Sequence, residues 1–322
     1  MKRYILRKMI SKRKDNYIYQ YFDEEGKRVS QKIVKPLIKD LYIAPALNNV
    51  KINRNQKSKV LAIGYDDKGR AQYIYNDKYV QKQSKKKYRH MKEFGESYQK
   101  ILTKINRDLK SNHPKHTQIA IILSLMSECG IRIGNEKYTN ENRSYGASTL
   151  ESRHVSIQGE EVTVDFIGKK NVRNKCTIKN KRLSRKIRTQ KRKRKKRDPL
   201  FTYRKDDQLL TVKASDVNQY LKQFGDFTSK NFRTWTANLS LIQKLSGVPP
   251  SSQNERKQKI NASVDEIANN LHNTRAICKK NYIDPKLIDL YVEHPQNFQK
   301  IFSKCSTKSE ATDAYLTFLE DR

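Results

Sequence analysis

Residues 117–126, which read Thr-Gln-Ile-Ala-Ile-Ile-Leu-Ser-Leu-Met, decide the fold of this chain. Apolar side chains would lie nearly all the way round a helix of this sequence, which indicates a helix buried on every side. The apolar part is far shorter than the roughly 20 residues that cross a bilayer. Gly130 interrupts the pattern, just before Ile131-Arg132-Ile133-Gly134. This stretch predicts a central helix of a globular domain.

The chain downstream of this helix first changes to short strands. Residues 155–157 and 162–167 predict a hairpin, and residues 172–178 predict a third strand after the turn Gly168-Lys-Lys-Asn171. Lys169 is thereby placed in a tight turn. After Asp198-Pro199 the pattern is mostly helical. The predicted helices are 213–225, 231–246, 263–280 and 285–320.

The chain upstream of the helix is predicted to be rich in strands. Residues 17–22 alternate as a strand does, and residues 60–65 and 70–75 predict a hairpin turned by Asp66-Asp-Lys-Gly69. Residues 77–90 are polar and basic, and form either a linker or a helix. We therefore predict an α+β fold with a small β-rich domain over 1–82. A larger, mainly helical domain with a small three-stranded sheet follows over 83–322.

The charge of the chain points to a polyanionic partner. Its 322 residues include 69 Lys and Arg against 33 Asp and Glu, so the net charge is +36. Nucleic acid is the first candidate, because binding to phosphates releases condensed counterions, although a membrane surface or the ribosome would suit the same charge. The basic N-terminus lacks the apolar core of a secretory signal, and no stretch predicts a membrane span.

The densest charge lies in residues 179–197, which end in Lys191-Arg-Lys-Arg-Lys-Lys-Arg197. Like charges at this spacing repel one another, so we expect a solvated helix or a disordered loop until an anion binds. The segment could add phosphate contacts, act as a nuclear localisation signal, or be merely solvated.

The cysteine pattern argues against a zinc ribbon. The four cysteines are spread far apart with no Cys-x-x-Cys pair, which predicts free thiols in a reducing compartment. The His and acidic residues form no evident metal-ligand cluster, so no metal site is expected. The cysteines are Cys129, Cys176, Cys278 and Cys305.

Five residues carry the candidate chemistry: Arg132, Lys169, Arg233, Asn273 and Tyr282. Each alone has an ordinary structural interpretation, such as a helix-end ion pair for an Arg or a core position for a Tyr. Together, in this order along the chain, they are a more specific signal than any one of them alone.

The chain from Tyr65 onward resembles the poxvirus-type DNA topoisomerase IB family, which has viral and bacterial members. The resemblance covers about four fifths of the chain. The motifs that carry it are Gly64-Tyr-Asp-Asp-Lys-Gly-Arg-Ala-Gln-Tyr-Ile-Tyr75, Ile131-Arg-Ile-Gly-Asn-Glu-Lys-Tyr138, Phe166-Ile-Gly-Lys169, Phe232-Arg-Thr-Trp235 with Asn238, and residues 273–285.

The resemblance implies a role for each candidate residue. Tyr282 would attack a phosphodiester to form a 3′-phosphotyrosyl link and release a 5′-hydroxyl strand. Arg132 and Arg233 would stabilise the charge on the phosphorane, and Lys169 would protonate the leaving oxygen. The family's fourth phosphate-binding position, nine residues before the tyrosine, is Asn273. A one-residue step rotates a helical side chain by about 100°, so we expect the neighbouring His272 to be a surface or capping residue.

The resemblance also implies DNA contacts and a partner. The family closes two domains as a clamp around double-stranded DNA, acts without metal or ATP, and here implies a monomer with no membrane association. A viral origin, and with it a virion or host-cell viral factory, is suggested only by the family. Residues at DNA-contacting positions are Gln72, Tyr73, Tyr75, Lys137, Tyr138, Lys230 and Asn238.

Two other functions compete with this interpretation. Tyrosine recombinases and integrases use the same chemistry, but their second Arg typically follows a His by three residues, where this chain has Lys230. Their N-terminal domain is also usually helical. A non-enzymatic DNA-packaging protein would explain the charge, but not the ordered set of candidate residues.

Overall fold

The computed structural model describes residues 3–13, 16–247 and 252–320. The chain divides into two compact units, residues 1–87 and 88–322. Helix and sheet are mixed, as the α+β prediction requires. The predicted boundary after residue 82 falls inside helix α2 (Asp77–Lys110), which occupies the segment considered as a linker or a helix.

The first unit is built on a five-stranded antiparallel sheet in the order β2-β1-β3-β4-β5. The strands predicted at 17–22, 60–65 and 70–75 are confirmed as β2, β4 and β5. One short helix, α1 (Gln31–Ile38), covers the core formed around Ile5, Val50 and Ile52. The strands are β1 (Tyr4–Arg13), β2 (Asn16–Phe22), β3 (Asn48–Asn53), β4 (Val60–Tyr65) and β5 (Ala71–Tyr75).

The second unit is mainly helical. The buried helix predicted around residues 117–126 is confirmed as α3 (Pro114–Cys129), which is capped by Gly130 in the left-handed conformation, φ 58°. The helices after α2 are α3 (Pro114–Cys129), α4 (Glu136–Asn142), α5 (Lys181–Lys191), α6 (Ala214–Leu221), α7 (Ser229–Leu245), α8 (Gln253–Asn270), α9 (Arg275–Asn281), α10 (Pro285–Glu293), α11 (Pro295–Phe302) and α12 (Lys308–Glu320).

Two small sheets complete this unit. The predicted three-stranded sheet is confirmed, in the order β6-β7-β8, and β8 is an edge strand. The region after Pro199, predicted to be mostly helical, begins with a hairpin, β9-β10, that was not predicted. The strands are β6 (Val155–Gln158), β7 (Glu161–Ile167), β8 (Arg173–Lys179), β9 (Thr202–Lys205) and β10 (Gln208–Thr211).

The helices pack closely around a single tryptophan. Trp235 of α7 is fully buried, and its ring contacts Phe94 and Tyr98 of α2. A Cβ atom on Gly95 would lie 2.3 Å from the Trp235 ring, so only glycine allows α2 to approach this closely. This core fixes α7, which carries Arg233.

Part of the basic segment is folded. Lys191, at the end of α5, donates from Nζ to the carbonyls of Ser152 and Val155, and Arg194 donates to the Thr202 hydroxyl. Burial lowers the pKa of Lys191. These two cations are therefore structural, while Arg192, Lys193, Lys195, Lys196 and Arg197 are exposed.

The expectation of four free thiols is wrong. Cys129, the last residue of α3, forms a disulfide with Cys176 of β8, while Cys278 and Cys305 are buried free cysteines. The paired cysteines are distant in sequence and meet only in the fold, which spacing cannot reveal. Among the described residues, no cluster of His, Cys, Asp and Glu could hold a metal ion, and no helix has the length and apolar character of a membrane span.

Candidate active site

Four of the five candidate residues line one cleft of about 590 Å³ in the second unit. They reach it from separate elements: the segment after α3, the β7–β8 turn, the α8–α9 loop and the end of α9. The fifth, Arg233, lies behind the cleft wall and contacts the lining residue Tyr282. The lining residues used below are Arg132, Lys169, Lys170, His272, Asn273 and Tyr282.

Tyr282 is fixed at the C-terminal end of α9. Its backbone N–H donates to the Cys278 carbonyl at 2.9 Å, and its side chain is only 8% exposed. The Asn238 amide donates to the Tyr282 carbonyl at 2.9 Å, and its Oδ1 accepts from the Asp284 N–H at 2.7 Å. The backbone on both sides of the tyrosine is thus held from α7.

Arg233 is the buried cation beside the tyrosine. Its Nε lies 3.4 Å from the Tyr282 hydroxyl, its Nη2 donates to the Leu271 carbonyl at 2.8 Å, and the side chain is 3% exposed. Nη1 is buried with no hydrogen-bond partner among the described residues. An unused donor on a buried guanidinium is costly, and a phosphate oxygen would satisfy it.

The charges around Tyr282 change its acidity. Burial alone would raise the pKa of the phenol, but the positive charges of Arg233, Arg132 and Lys230, with the Arg233 hydrogen bond, lower it below its ordinary value. Burial lowers the pKa of Arg233. The site therefore favours an anionic oxygen at the Tyr282 position, which suits a nucleophile.

Arg132 reaches the cleft from an extended segment after α3. Its carbonyl accepts from the Ala147 N–H at 2.8 Å, which fixes the backbone. Its Nη2 donates to Asn273 Oδ1 at 2.6 Å, and Asn273 Nδ2 donates to the Leu271 carbonyl at 3.0 Å. Arg132 and Asn273 are therefore brought together as the motifs predicted.

His272 also lines the cleft, contrary to the expectation of a surface or capping residue. That expectation assumed a helix, but α8 ends at Asn270 and His272 has φ 51°, so the helical rotation does not apply. Its ring is half-buried with no hydrogen-bond partner among the described residues, and burial together with Arg233 and Arg132 lowers its pKa. Sequence reasoning passed over it, although its place beside Asn273 was a signal.

Lys169 lies in the β7–β8 turn, as predicted, and is exposed. The turn is tight: Lys170 and Asn171 have φ of 61° and 60°, and a Cβ atom on Gly168 would lie 2.5 Å from the Asn174 amide. The Lys169 ammonium has no partner among the described residues, so it is available to an incoming group.

The residues at DNA-contacting positions in the first unit lie on β5. Tyr73 and Tyr75 are 51% and 39% exposed and stack at 6.0 Å, while Ile74 packs against the core, as alternation predicted. Gln72 is exposed and its Nε2 lies 3.2 Å from Asp66 Oδ2.

The corresponding residues of the second unit divide into two kinds. Lys137 and Tyr138 on α4 and Lys230 at the start of α7 are exposed. Asn238 is fully buried, and its amide and carbonyl hold the backbone around Tyr282, so the expectation that it contacts DNA is corrected.

The sequence was also compared with those of known proteins. The model of the family described as eukaryotic DNA topoisomerase I, catalytic core, matches residues 76–309. DNA topoisomerase 1B of Acanthamoeba polyphaga mimivirus is 33% identical over 298 residues, covering 88% of this chain and 87% of the relative. DNA topoisomerase 1B of vaccinia virus (strain Copenhagen) is 26% identical over 261 residues, covering 77% and 76%. This chain therefore belongs to the type IB DNA topoisomerases.

Proposed function

We propose that the protein relaxes positive and negative supercoils in double-stranded DNA by transient cleavage of one strand. The strand end is held as a 3′-phosphotyrosyl link on Tyr282 while the free 5′-hydroxyl strand rotates. Religation reverses the first step. Because the phosphotyrosyl link keeps the energy of the phosphodiester, the cycle requires neither ATP nor a metal.

One observation carries this proposal: the buried Arg233 guanidinium lies against the Tyr282 hydroxyl and keeps one N–H donor unused. A phosphate bound beside the tyrosine would take that donor. The same contact lowers the pKa of the phenol. Arg233 has no carboxylate partner in the part of the chain that the structure describes. A buried cation of this kind beside a tyrosine stabilises a bound anion more than it stabilises the fold.

The reaction follows from this arrangement. Tyr282 Oη gives up its proton to water in the cleft and forms a bond to phosphorus, and the bond from phosphorus to the 5′ oxygen breaks. Arg233 and Arg132 donate to the non-bridging oxygens as negative charge builds up on the phosphorane. Lys169 gives its proton to the leaving 5′ oxygen. Asn273 and His272 line the same cleft and are the remaining candidates to donate to this phosphate.

We further propose how the chain holds DNA. The β-rich domain over 1–82 and the catalytic domain over 83–322 close around the duplex as a clamp, and the protein acts as a monomer. The exposed β5 tyrosines offer hydroxyls and ring faces to the DNA. The DNA-contacting residues are Gln72, Tyr73, Tyr75, Lys137, Tyr138 and Lys230, and Asn238 acts through the Tyr282 backbone.

Relaxation of plasmids of both supercoil signs, in EDTA without ATP, tests this function. Wild type should relax both and Tyr282→Phe neither. Tyr291→Phe is the matched control, because Tyr291 is a buried tyrosine packed on Phe298, away from the cleft residues, and should keep activity. Denaturing the wild-type reaction should trap DNA on Tyr282.

Three other outcomes would contradict the proposal. Relaxation by Tyr282→Phe would remove Tyr282 as the nucleophile. A trapped covalent link without relaxation, with strands joined between two sites, would identify a recombinase. DNA binding with neither a link nor relaxation would identify a packaging protein.

A further inference from the structure

The Cys129–Cys176 disulfide joins the two elements that carry Arg132 and Lys169 to the cleft. Cys129 is the last residue of α3, just before the segment that bears Arg132. Cys176 lies on β8, the strand that returns from the Lys169 turn. The disulfide closes a loop of sequence separation 47 that contains both residues.

The hairpin of β7 and β8, which carries Lys169 in its turn, is attached to the rest of the unit differently through each of its two strands. On the β7 side, the Tyr145 N–H donates to the Ile167 carbonyl at 2.9 Å, and α5 packs on β7. On the other side β8 is the edge strand, which contacts α3 and is tied to it by the disulfide. Without that bond, β8 would keep its ladder to β7, but only packing would hold it against α3.

The end of the hairpin is stiff in itself. Arg173 pairs with Asp165 through two hydrogen bonds of 2.8 and 2.6 Å, and the Gly168 N–H donates to the Val172 carbonyl at 2.8 Å. Lys169 would therefore move with the hairpin as a unit. Movement of the hairpin should affect Arg132 less, because the Arg132 backbone is held by its own hydrogen bond from Ala147.

The disulfide is open to chemical reduction. Cys176 is half-buried, and both cysteines line a second cavity of about 410 Å³ that also contacts His272 and Asn269. A small dithiol entering there would convert the bond to two thiols and become oxidised to its own cyclic disulfide.

We propose that the Cys129–Cys176 disulfide positions Lys169 against the scissile phosphate, so that strand cleavage is fast in the oxidised protein and slow in the reduced protein. This inference rests on the proposed function. Misplacement of a catalytic group by about 1 Å can cost about 10²-fold in rate, and we expect about a 10-fold to 100-fold loss on reduction.

Single-turnover cleavage of two substrates tests the proposal. One is an ordinary DNA duplex, and the other carries a 5′-bridging phosphorothiolate, whose thiolate leaves without a proton. Reduction of wild type with a dithiol should slow cleavage of the first substrate and change the second less than about 3-fold, since only proton transfer by Lys169 is lost. Cys129→Ser/Cys176→Ser should behave like reduced wild type and not respond to the dithiol.

Two controls keep the test specific. Cys305→Ser, at a buried free cysteine near Glu310, should keep both activity and the response to the dithiol. DNA affinity and the circular dichroism spectrum of reduced wild type should match those of the oxidised protein, which reports folding without any substitution.

Several results would overturn the proposal. Equal losses on both substrates would mean that the disulfide supports the site only structurally. No loss on either, or labelling of all four thiols in the air-oxidised protein, would leave the disulfide without a role in cleavage. If oxidised wild type cleaved neither substrate, the proposed function itself would fail.

Discussion

The two sides of the candidate site are built differently. On the Arg233 side, the guanidinium and the Tyr282 hydroxyl are buried, and the backbone around the tyrosine is bonded to Asn238. On the Lys169 side, the ammonium stands exposed on a turn of an edge hairpin. Both kinds of group gain from being positioned in advance, but the Lys169 ammonium has no partner among the described residues until the leaving oxygen of the DNA reaches it. Arg233 and Tyr282 therefore contact each other before DNA binds, whereas Lys169 gains its partner only from the bound DNA.

The largest effect is expected from removing Lys169, the exposed group of the site. Lys169→Ala should slow cleavage of an ordinary duplex by about 10²–10⁴-fold, the usual range for a lost general acid. A 5′-bridging phosphorothiolate should restore the rate, since its leaving group needs no proton. Lys179→Ala is the matched control, because Lys179 is an exposed lysine at the far end of β8 that does not line the cleft, and it should keep most of the activity. Failure of the phosphorothiolate to rescue Lys169→Ala would show that Lys169 is not the acid.

The next largest effect is expected from removing Arg233, the buried cation of the site. This substitution should lower the cleavage rate and raise the stability of the fold. Arg233→Met should slow cleavage by about 10²–10³-fold, as loss of an oxyanion donor does. The free energy of unfolding should rise by about 1 kcal/mol, because an unpaired buried charge with an unused donor is replaced by an apolar side chain.

The Leu271 carbonyl would still accept from Asn273 in this variant. The Tyr282 hydroxyl would lose the 3.4 Å contact from Arg233 Nε, but Tyr282 lines the cleft, where water can replace that donor. Single-turnover kinetics and urea unfolding measure the two quantities. A lower free energy of unfolding would contradict the view that Arg233 is held for chemistry at a cost in stability.

A smaller effect is expected from the basic segment, residues 191–197, in which two cations are hydrogen-bonded within the fold and five are exposed. Replacing Arg192, Lys193, Lys195, Lys196 and Arg197 with Gln should weaken DNA binding. It should also flatten the salt dependence of affinity by about 0.9 in log–log slope for each phosphate that the segment no longer neutralises. The cleavage rate on saturating DNA should not change. An unchanged slope would leave the segment with no part in DNA binding.

The matched control for this experiment is Lys191→Gln. Lys191 is bonded to two backbone carbonyls, so its replacement should lower stability and leave the salt slope unchanged. An equal change of slope in both proteins would contradict the division into fixed and exposed cations.

The smallest effect concerns the acidity of Tyr282. Arg233, Arg132 and Lys230 lower the pKa of the phenol, so its ionisation should begin at lower pH than for an ordinary tyrosine. Tyrosinate absorbance of wild type minus that of Tyr282→Phe should isolate this group. Lys230→Gln removes one positive charge and should move the titration to higher pH. A shift to lower pH would contradict this account.

Sequence reasoning reached the candidate residues but not all of their roles. Asn238 was expected to contact DNA, because a position in a motif does not reveal burial. His272 was set aside because a helix was assumed where the chain turns at φ 51°. Strand β1 was not predicted, since its basic residues obscure the alternation, and Arg7 is in fact buried by donating to the carbonyls of Ala44 and Leu47.

The sequence by itself determined the local elements and the ordered set Arg132, Lys169, Arg233, Asn273 and Tyr282. Periodicity and turn residues are local, and so is the order of motifs along a chain. Only the tertiary structure decided which of these groups are buried, that Asn238 serves the Tyr282 backbone, and that Cys129 meets Cys176. Burial and long-range pairing depend on how distant elements pack together, and no spacing within the sequence records that.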